Sequence, residues 1–568
     1  MPREASLPAA GSLTRRGLLT AAAAVGGTAV AGPLLSACGK KKTSGPGTTS
    51  KNQLSQVLPS YVPNTAIKPD VPGVTGPAGV ASDALFLTYP SSPVQTVSGT
   101  PGKGGTFTAV TPLWAAIPPS SGNAYYAAVN KAVGAIVRVQ PADGNTYADK
   151  LPPLLAANKL PQWICIPGWN TTNLDFGTAV GVKFVDLTPY LAGDKVKDYP
   201  NLAAIPTGAW QAGVWNGKLY GIPVYPSNAA YVATYFYRKD IFDKHGIKVE
   251  DIKTTDDLGN VGKELTDAKA GVWAFDDLIG NSAAWCLQPF KIPQKWAADS
   301  SGKLYYKYEA PGMLDALNWQ AKLVKAGYLH PDALNANNFN GKQRFQSGKV
   351  AVNADGTGAW DGNDAKAGLA ANPGYNRQAF KLFSASGTPS VELTNPAGIF
   401  SYLNKNLSDA QIKEALALAN YFAAPYGSVE WLIANFGQQG VDYTMTGGNP
   451  VLTPKGQKEV QTTFEFLATA TTPVTVQEGM SQLAKDKAAW HADTVKYAAK
   501  PLFYAMNVTE PSQYASIGKQ VDDTMNDVKA GRKPISAYQE AVATWRSQGG
   551  DALRTFYEGI RDKYGTGQ

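Results

Sequence analysis

Two β-rich runs joined by a short aromatic link lie between Trp215 and Lys248, and they constrain the fold more than any other stretch. Gly217-Lys218-Leu219-Tyr220-Gly221 has turn chemistry and leads into an apolar run, Ile222-Pro223-Val224-Tyr225, closed by Pro226-Ser227-Asn228. A second run, Tyr231 to Tyr237, carries β-branched or aromatic side chains at most positions, which suits a buried strand. Arg238-Lys239-Asp240 then opens a helix in which Ile241, Phe242 and His245 fall at i, i+1 and i+4, with Gly246 at its C′ position. Strand, irregular link, strand and helix in that order read as one lobe ending and another beginning.

Upstream, strands alternate with helices. Gly105 to Val110, Ala135 to Gln140 and Trp163 to Ile166 read as strands, and Ala124 to Val133 as a helix; Tyr147 to Asn158 reads as a second helix that Pro152-Pro153 confines to a late start. This alternation predicts βαβ units and a mostly parallel sheet, beyond whose carboxyl ends ligands collect. The loops at those ends are Pro112-Leu113-Trp114 and Pro167-Gly168-Trp169-Asn170, each with a Trp just past a strand. Downstream, Met313 to Ala326 and Ser408 to Ala423 have helical periodicity, the latter N-capped by Ser408. Gly447-Gly448-Asn449 reads as a hairpin turn, and the tail from Ile517 to Lys563 as largely helical with Pro534 at an N-terminus.

With 568 residues the chain is too long for one typical core. Its net charge of +8 would permit an acidic partner, yet no Lys/Arg run interleaves with the aromatics, so nucleic acid is not an expected partner. Thr14-Arg15-Arg16-Gly17-Leu18-Leu19 reads as a twin-arginine signal, Ala21 to Leu34 as a weakly apolar core, and Leu35-Ser36-Ala37-Cys38 as a lipobox. Export, cleavage before Cys38 and lipidation of that thiol are expected, with anchorage to the membrane through Cys38. Residues 39–79 are rich in Thr, Ser, Gly and Pro and read as a tether, with 80–100 as a strap packing onto the body. Cys165 and Cys286 lie in apolar neighbourhoods and read as buried free thiols, with a disulfide between them as the alternative.

Signatures of catalysis are sparse. His245, His330 and His491 are far apart and lack metal-ligand spacing, no GxSxG occurs, and Gly356-Thr357-Gly358 reads as a turn. Asp361, Asn363 and Asp364 lack a full calcium loop, and nothing sets Asp276-Asp277 at a glycosidase spacing from a partner. No cofactor or metal is expected. Aromatics are the stronger lead, because a sugar ring presents C–H faces and a rim of hydroxyls and so needs flat π surfaces with polar groups at the edge. Trp114, Trp169 with Asn170, Tyr225, Trp285, Trp360 with Asp355, and Phe436 with Gln438 have that character.

In order along residues 104–560, "KLPPLLAANKLPQWI", "FVDLTPYL", "NGKLYGIPV", "YFYRKDIFDKHGI", "FQSGKVAV…GAW", "FGQQGVDYT" and "DVKAGRKPISAYQEAVATWRSQGGDAL" resemble the extracellular solute-binding proteins of carbohydrate ABC importers, in particular the larger, LipO-like lipoproteins. The resemblance implies an α/β, two-lobe, type II periplasmic-binding-protein-like fold with a hinge of several crossings. It places the N-terminal lobe at 96–227 plus 391–433 and the C-terminal lobe at 228–390 plus 434–568, after a signal peptide (1–38) and a tether or strap (39–95). It further implies a monomer that closes on a sugar or oligosaccharide and delivers it to ABC transporter permease subunits. Trp360 matches the family aromatic that stacks on ligand, and Phe436 stands where a Tyr is usual. The alternative from another class is an anchored carbohydrate-active hydrolase or lyase.

Overall fold

Trp163–Pro167, Ile222–Val224 and Ile399–Leu403 are buried at every position, whereas Ile136–Asp143 alternates between buried and exposed. Strands covered on both faces and a half-covered edge strand have these two patterns. The computed structural model describes residues 48–156, 160–171, 174–279, 288–335, 340–461, 463–476 and 480–568. Its two main sheets use β1 (Thr106–Leu113), β2 (Ile136–Asp143), β3 (Trp163–Pro167), β4 (Ile222–Val224), β5 (Thr234–Arg238), β6 (Trp273–Phe275), β7 (Val350–Asp355), β8 (Arg377–Ala379) and β9 (Ile399–Leu403).

The first sheet has the order β2-β1-β3-β9-β4, with β1 parallel to β2 and β3, and β9 antiparallel to β3 and β4. The second has the order β8-β5-β7-β6, with β5 antiparallel to β7 and β8, and β7 parallel to β6. The chain therefore passes from the first sheet to the second over 225–233, inside the stretch that the sequence singles out, and returns over 380–398. Helix Ser481–Thr494 also packs beside the second sheet, where its Trp490 Nε1 donates to Phe380 O at 2.8 Å next to β8.

The expected helices are present at Ala124–Val133, Met313–Lys325 and Asp409–Phe422, the last with a capping box between Ser408 and Gln411. Just before the first crossing, Val214–Trp215 and Lys218–Leu219 form a tight hairpin. Asn216 and Gly217 at φ 52° and 76° supply its two left-handed turn residues. The sequence predicts a late start for the helix with Pro152 and Pro153, but it runs from Tyr147 to Ala156 with both prolines inside. Burial of Tyr147, Leu151 and Leu155 on one face offsets the two missing N–H donors.

The tether expected over 39–79 is replaced, from residue 48 on, by a strap that lies along the body. Helix Lys51–Val57 carries a capping box at Ser50 and buries Val57 in the core around the first sheet. Ser60 and Val62 donate backbone N–H groups to Gly193 and Ala203 at 3.0 and 2.8 Å. Leu85–Phe86 pairs in parallel with Val474–Thr475, and the buried Tyr89 hydroxyl donates to the Ser428 carbonyl. The apolar residues of this segment are too few for a core of their own, but the body supplies the other half of each contact. Tyr89→Phe is expected to lower stability by about 0.5–1.5 kcal/mol, read from the urea midpoint at unchanged slope.

Residues 434–468 also depart from the expected division. Ala434, Val460, Phe464 and Leu467 enter the core of the first sheet beside Tyr125 and Phe422, so the segment packs there and not with the second sheet. The core of the second sheet takes instead the tail helices, Lys519–Lys529, Ile535–Trp545 and Asp551–Tyr564, through Val521, Met525, Trp545, Leu553 and Tyr557. Cys38 and Cys286 lie outside the described residues; Cys165 is a buried free thiol. Among the described residues, no helix is long and apolar enough to cross a membrane.

Candidate functional site

Three strands of the first sheet end on aromatic residues, and the three rings gather at that end. Trp114 follows β1, Trp169 lies in the single turn Gly168–Asn170 after β3, and Tyr225 follows β4. The Trp114 and Trp169 ring centres are 6.0 Å apart with planes tilted by 50°. Phe466, itself buried, forms the floor: Trp114 lies 6.0 Å from it and Tyr225 meets it edge-on at 5.6 Å. The three upper residues keep 45%, 59% and 37% of their surface exposed. Exposed aromatics clustered over an apolar floor (Leu113, Cys165, Val224, Ile399, Phe466) are an uncommon surface feature and mark a place where a ligand can lie.

The patch is held rather than loose. A Cβ on Gly144 would come within 2.4 Å of the Trp114 indole, so the absence of a side chain there lets the ring lie close against the backbone after β2. Tyr225 has φ 50°, a left-handed conformation unusual for an aromatic residue, and the segment after Phe464 clamps it. Its N–H donates to Thr469 Oγ1 at 2.6 Å and its hydroxyl donates to Glu465 Oε2 at 2.8 Å. Although the residue keeps 37% of its surface exposed, partial desolvation, followed by the adjacent Glu465 charge, raises the phenol pKa above the ordinary tyrosine value, so it remains a donor. Glu465 and half-buried Asn170 supply polar groups at the edge of the rings. Glu465, Phe466 and Thr469 do not stand out in the sequence; the signal there is the alternation Thr463-Phe464-Glu465-Phe466.

Other expected site residues lie elsewhere. Trp360, after β7, is 1% exposed, wedged edge-on between Phe236 and Trp490 at 5.5 and 5.7 Å, so the protein covers the ring that was expected to stack on ligand. The reason is helix Ser481–Thr494, which closes over it. Asp355 Oδ2 accepts from Arg377 Nη2 at 3.0 Å, and that guanidinium lies 4.1 Å over the Phe236 ring. Phe436 stands 5.7 Å from Trp431 and 5.8 Å from Tyr443, in a row of rings that continues through Trp431 to Tyr89 of the strap. Gln438 is exposed beyond it, its N–H donating to Asp442 Oδ2 at 2.8 Å. Trp285 lies outside the described residues.

The carboxylates that could suggest catalysis are engaged. Asp276 is held by Arg344 at 2.6 Å, Asp277 by Lys529 at 2.8 Å and Gln320 at 2.7 Å, all buried. Asp361 takes Lys487 at 2.8 Å, and Asp364 is paired with Lys342. Among the described residues, no three His, Cys, Asp or Glu side chains are grouped to hold a metal ion. His245 caps a helix end, His330 accepts from Asp332 N at 3.1 Å, and His491 faces Asp83 of the strap at 3.0 Å.

Comparison with known proteins agrees with this architecture. Residues 124–488 match the family described as bacterial extracellular solute-binding protein. A polygalacturonan/rhamnogalacturonan-binding protein of Bacillus subtilis is 27% identical over 213 residues, 36% of this chain and 41% of that relative, so the chain spans less than half of the relative's length. An N-glycan transport solute-binding protein of Streptococcus pneumoniae superposes with a TM-score of 0.58 at 16% identity, covering 81% of this chain and 99% of that one. The FusA substrate-binding protein of the same organism, solved with kestose, gives 0.57 at 15%, covering 81% and 100%. The fold is α/β and type II periplasmic-binding-protein-like. With its family pattern matched over most of its length, the chain belongs to the bacterial extracellular solute-binding proteins.

Proposed function

We propose that the protein binds a sugar or oligosaccharide without altering it and presents it to the permease of an ABC importer. The observation that carries this reading is the exposed ring cluster of Trp114, Trp169 and Tyr225 at the carboxyl ends of three strands. Its flat faces suit sugar C–H surfaces, and Asn170 and Glu465 suit hydroxyls. Support also comes from relatives whose names record binding of pectic polymers and kestose. In this reading the ligand sits between the two sheets and draws them together by its greater affinity for the closed arrangement. Export through the twin-arginine signal and lipidation at Cys38 would hold the protein, as a monomer, at the outer face of the cell membrane.

Intrinsic tryptophan fluorescence, titrated with kestose and with oligogalacturonides, tests it. A saturable response with the sugar recovered intact is expected, whereas new reducing ends would mean hydrolysis or lysis. Trp114→Ala and Trp169→Ala are each expected to weaken binding by about 1–3 kcal/mol. Both side chains are exposed, so stability should move by no more than about 0.5 kcal/mol. Unchanged affinity in both variants would remove the cluster from the site.

A further inference from the structure

A second concave site lies away from the strand ends, where Tyr306-Lys307-Tyr308 meets the tail helices. It is a pocket of about 460 Å³, large enough for a mono- or disaccharide, with Tyr306, Tyr308, Tyr514 and Trp545 among its walls. Lys307 is 7% exposed, and its ammonium lies 5.7 and 5.4 Å over the Tyr306 and Tyr308 rings. Among the described residues the ammonium has no hydrogen bond or ion pair, and burial pulls its pKa down to about 8. The other charges of the pocket are largely taken. Asp523 is paired with Lys519 at 2.8 Å, and Glu510 accepts from Tyr557 at 2.6 Å. Asp522 accepts from Tyr308 at 2.9 Å and is the carboxylate that acts on Lys307 through space.

Lys307 lines the pocket, so a ligand oxygen there can accept from its ammonium in place of water. An anionic ligand would meet Lys307 but also face Asp522. A neutral ligand with adjacent hydroxyls satisfies both: one oxygen accepts from the ammonium, and its neighbour donates to the carboxylate, which has lone pairs to spare. Tyr306 and Tyr514, the half-buried aromatic walls, can accept the C–H face of such a ring, whereas Trp545 and Tyr308 are packed behind them. We infer that the pocket formed by Tyr306, Lys307, Tyr308, Asp522 and Trp545 is a second binding site for a neutral sugar carrying a vicinal diol, separate from the Trp114–Trp169 cluster.

Saturation-transfer NMR on the full chain tests it, with D-glucose, D-galactose, D-mannose and D-xylose as neutral probes and D-glucuronate as an anionic one. Wild type is compared with Lys307→Met, Asp522→Asn and the Trp114→Ala/Trp169→Ala double variant, each checked for an unchanged unfolding midpoint. At least one neutral sugar is expected to give a transfer signal that both pocket variants reduce severalfold and the double Trp variant retains. A signal abolished only by the double Trp variant, a signal from glucuronate alone, or no neutral-sugar signal sensitive to Lys307→Met would overturn the inference. Failure of the strand-end site leaves this readout intact, so the two sites fail separately.

Discussion

Replacing Trp360 with alanine is expected to destabilise the folded chain by about 3–5 kcal/mol. The residue would be a ligand contact on sequence grounds, but at 1% exposure its ring is a packing element. Phe236 of β5 meets it on one side and Trp490 on the other, and Trp490 is itself pinned through Nε1 to Phe380 O at 2.8 Å. Neither neighbour can collapse far into the space the indole leaves. The indole Nε1 has no hydrogen-bond partner among the described residues, so the loss is one of burial and packing alone. Urea unfolding measures it; a loss below about 1 kcal/mol would show that the ring is not packed as described.

Lys529→Met is expected to be comparably damaging, by about 3–5 kcal/mol, for an electrostatic reason. The Lys529 and Asp277 side chains are 1% and 5% exposed and meet at 2.8 Å, joining a tail helix to the loop after β6. Removing the ammonium leaves a carboxylate in the core with Gln320 at 2.7 Å but without its counter-charge. Lys529→Met combined with Asp277→Leu should recover much of the loss, since a buried ion pair replaced by apolar residues is often near neutral. A double variant as unstable as the single one would place the stabilisation in packing instead of charge.

These two sites show what sequence can and cannot convey. The strand-end aromatics were legible because Trp114 and Trp169 follow recognisable strands by one or two residues. Local signals also sufficed for the helix after Ser408 and for the first crossing, where Asn216-Gly217 and Gly246 mark turns in the chain itself. Trp360 misled because Asp-Gly-Asn-Asp follows it and reads as an open loop; the element that buries it, helix Ser481–Thr494, comes from far along the chain. The strap misled for the same reason, since its sparse apolar residues find partners such as Val474 and Ser428 only in the folded state. Glu465 and Phe466 show only the four-residue alternation Thr463-Phe464-Glu465-Phe466, too short to point to the clamp on Tyr225.

A glycan-array comparison of the wild type with the Trp114→Ala/Trp169→Ala double variant tests the central claim most directly, with each bound glycan eluted and weighed by mass spectrometry. The account predicts that the wild type retains a class of oligosaccharides at unchanged mass and that the double variant, folded to the same midpoint, loses that class. Retention of the same glycans by the double variant, or elution of shortened glycans from the wild type, would contradict it.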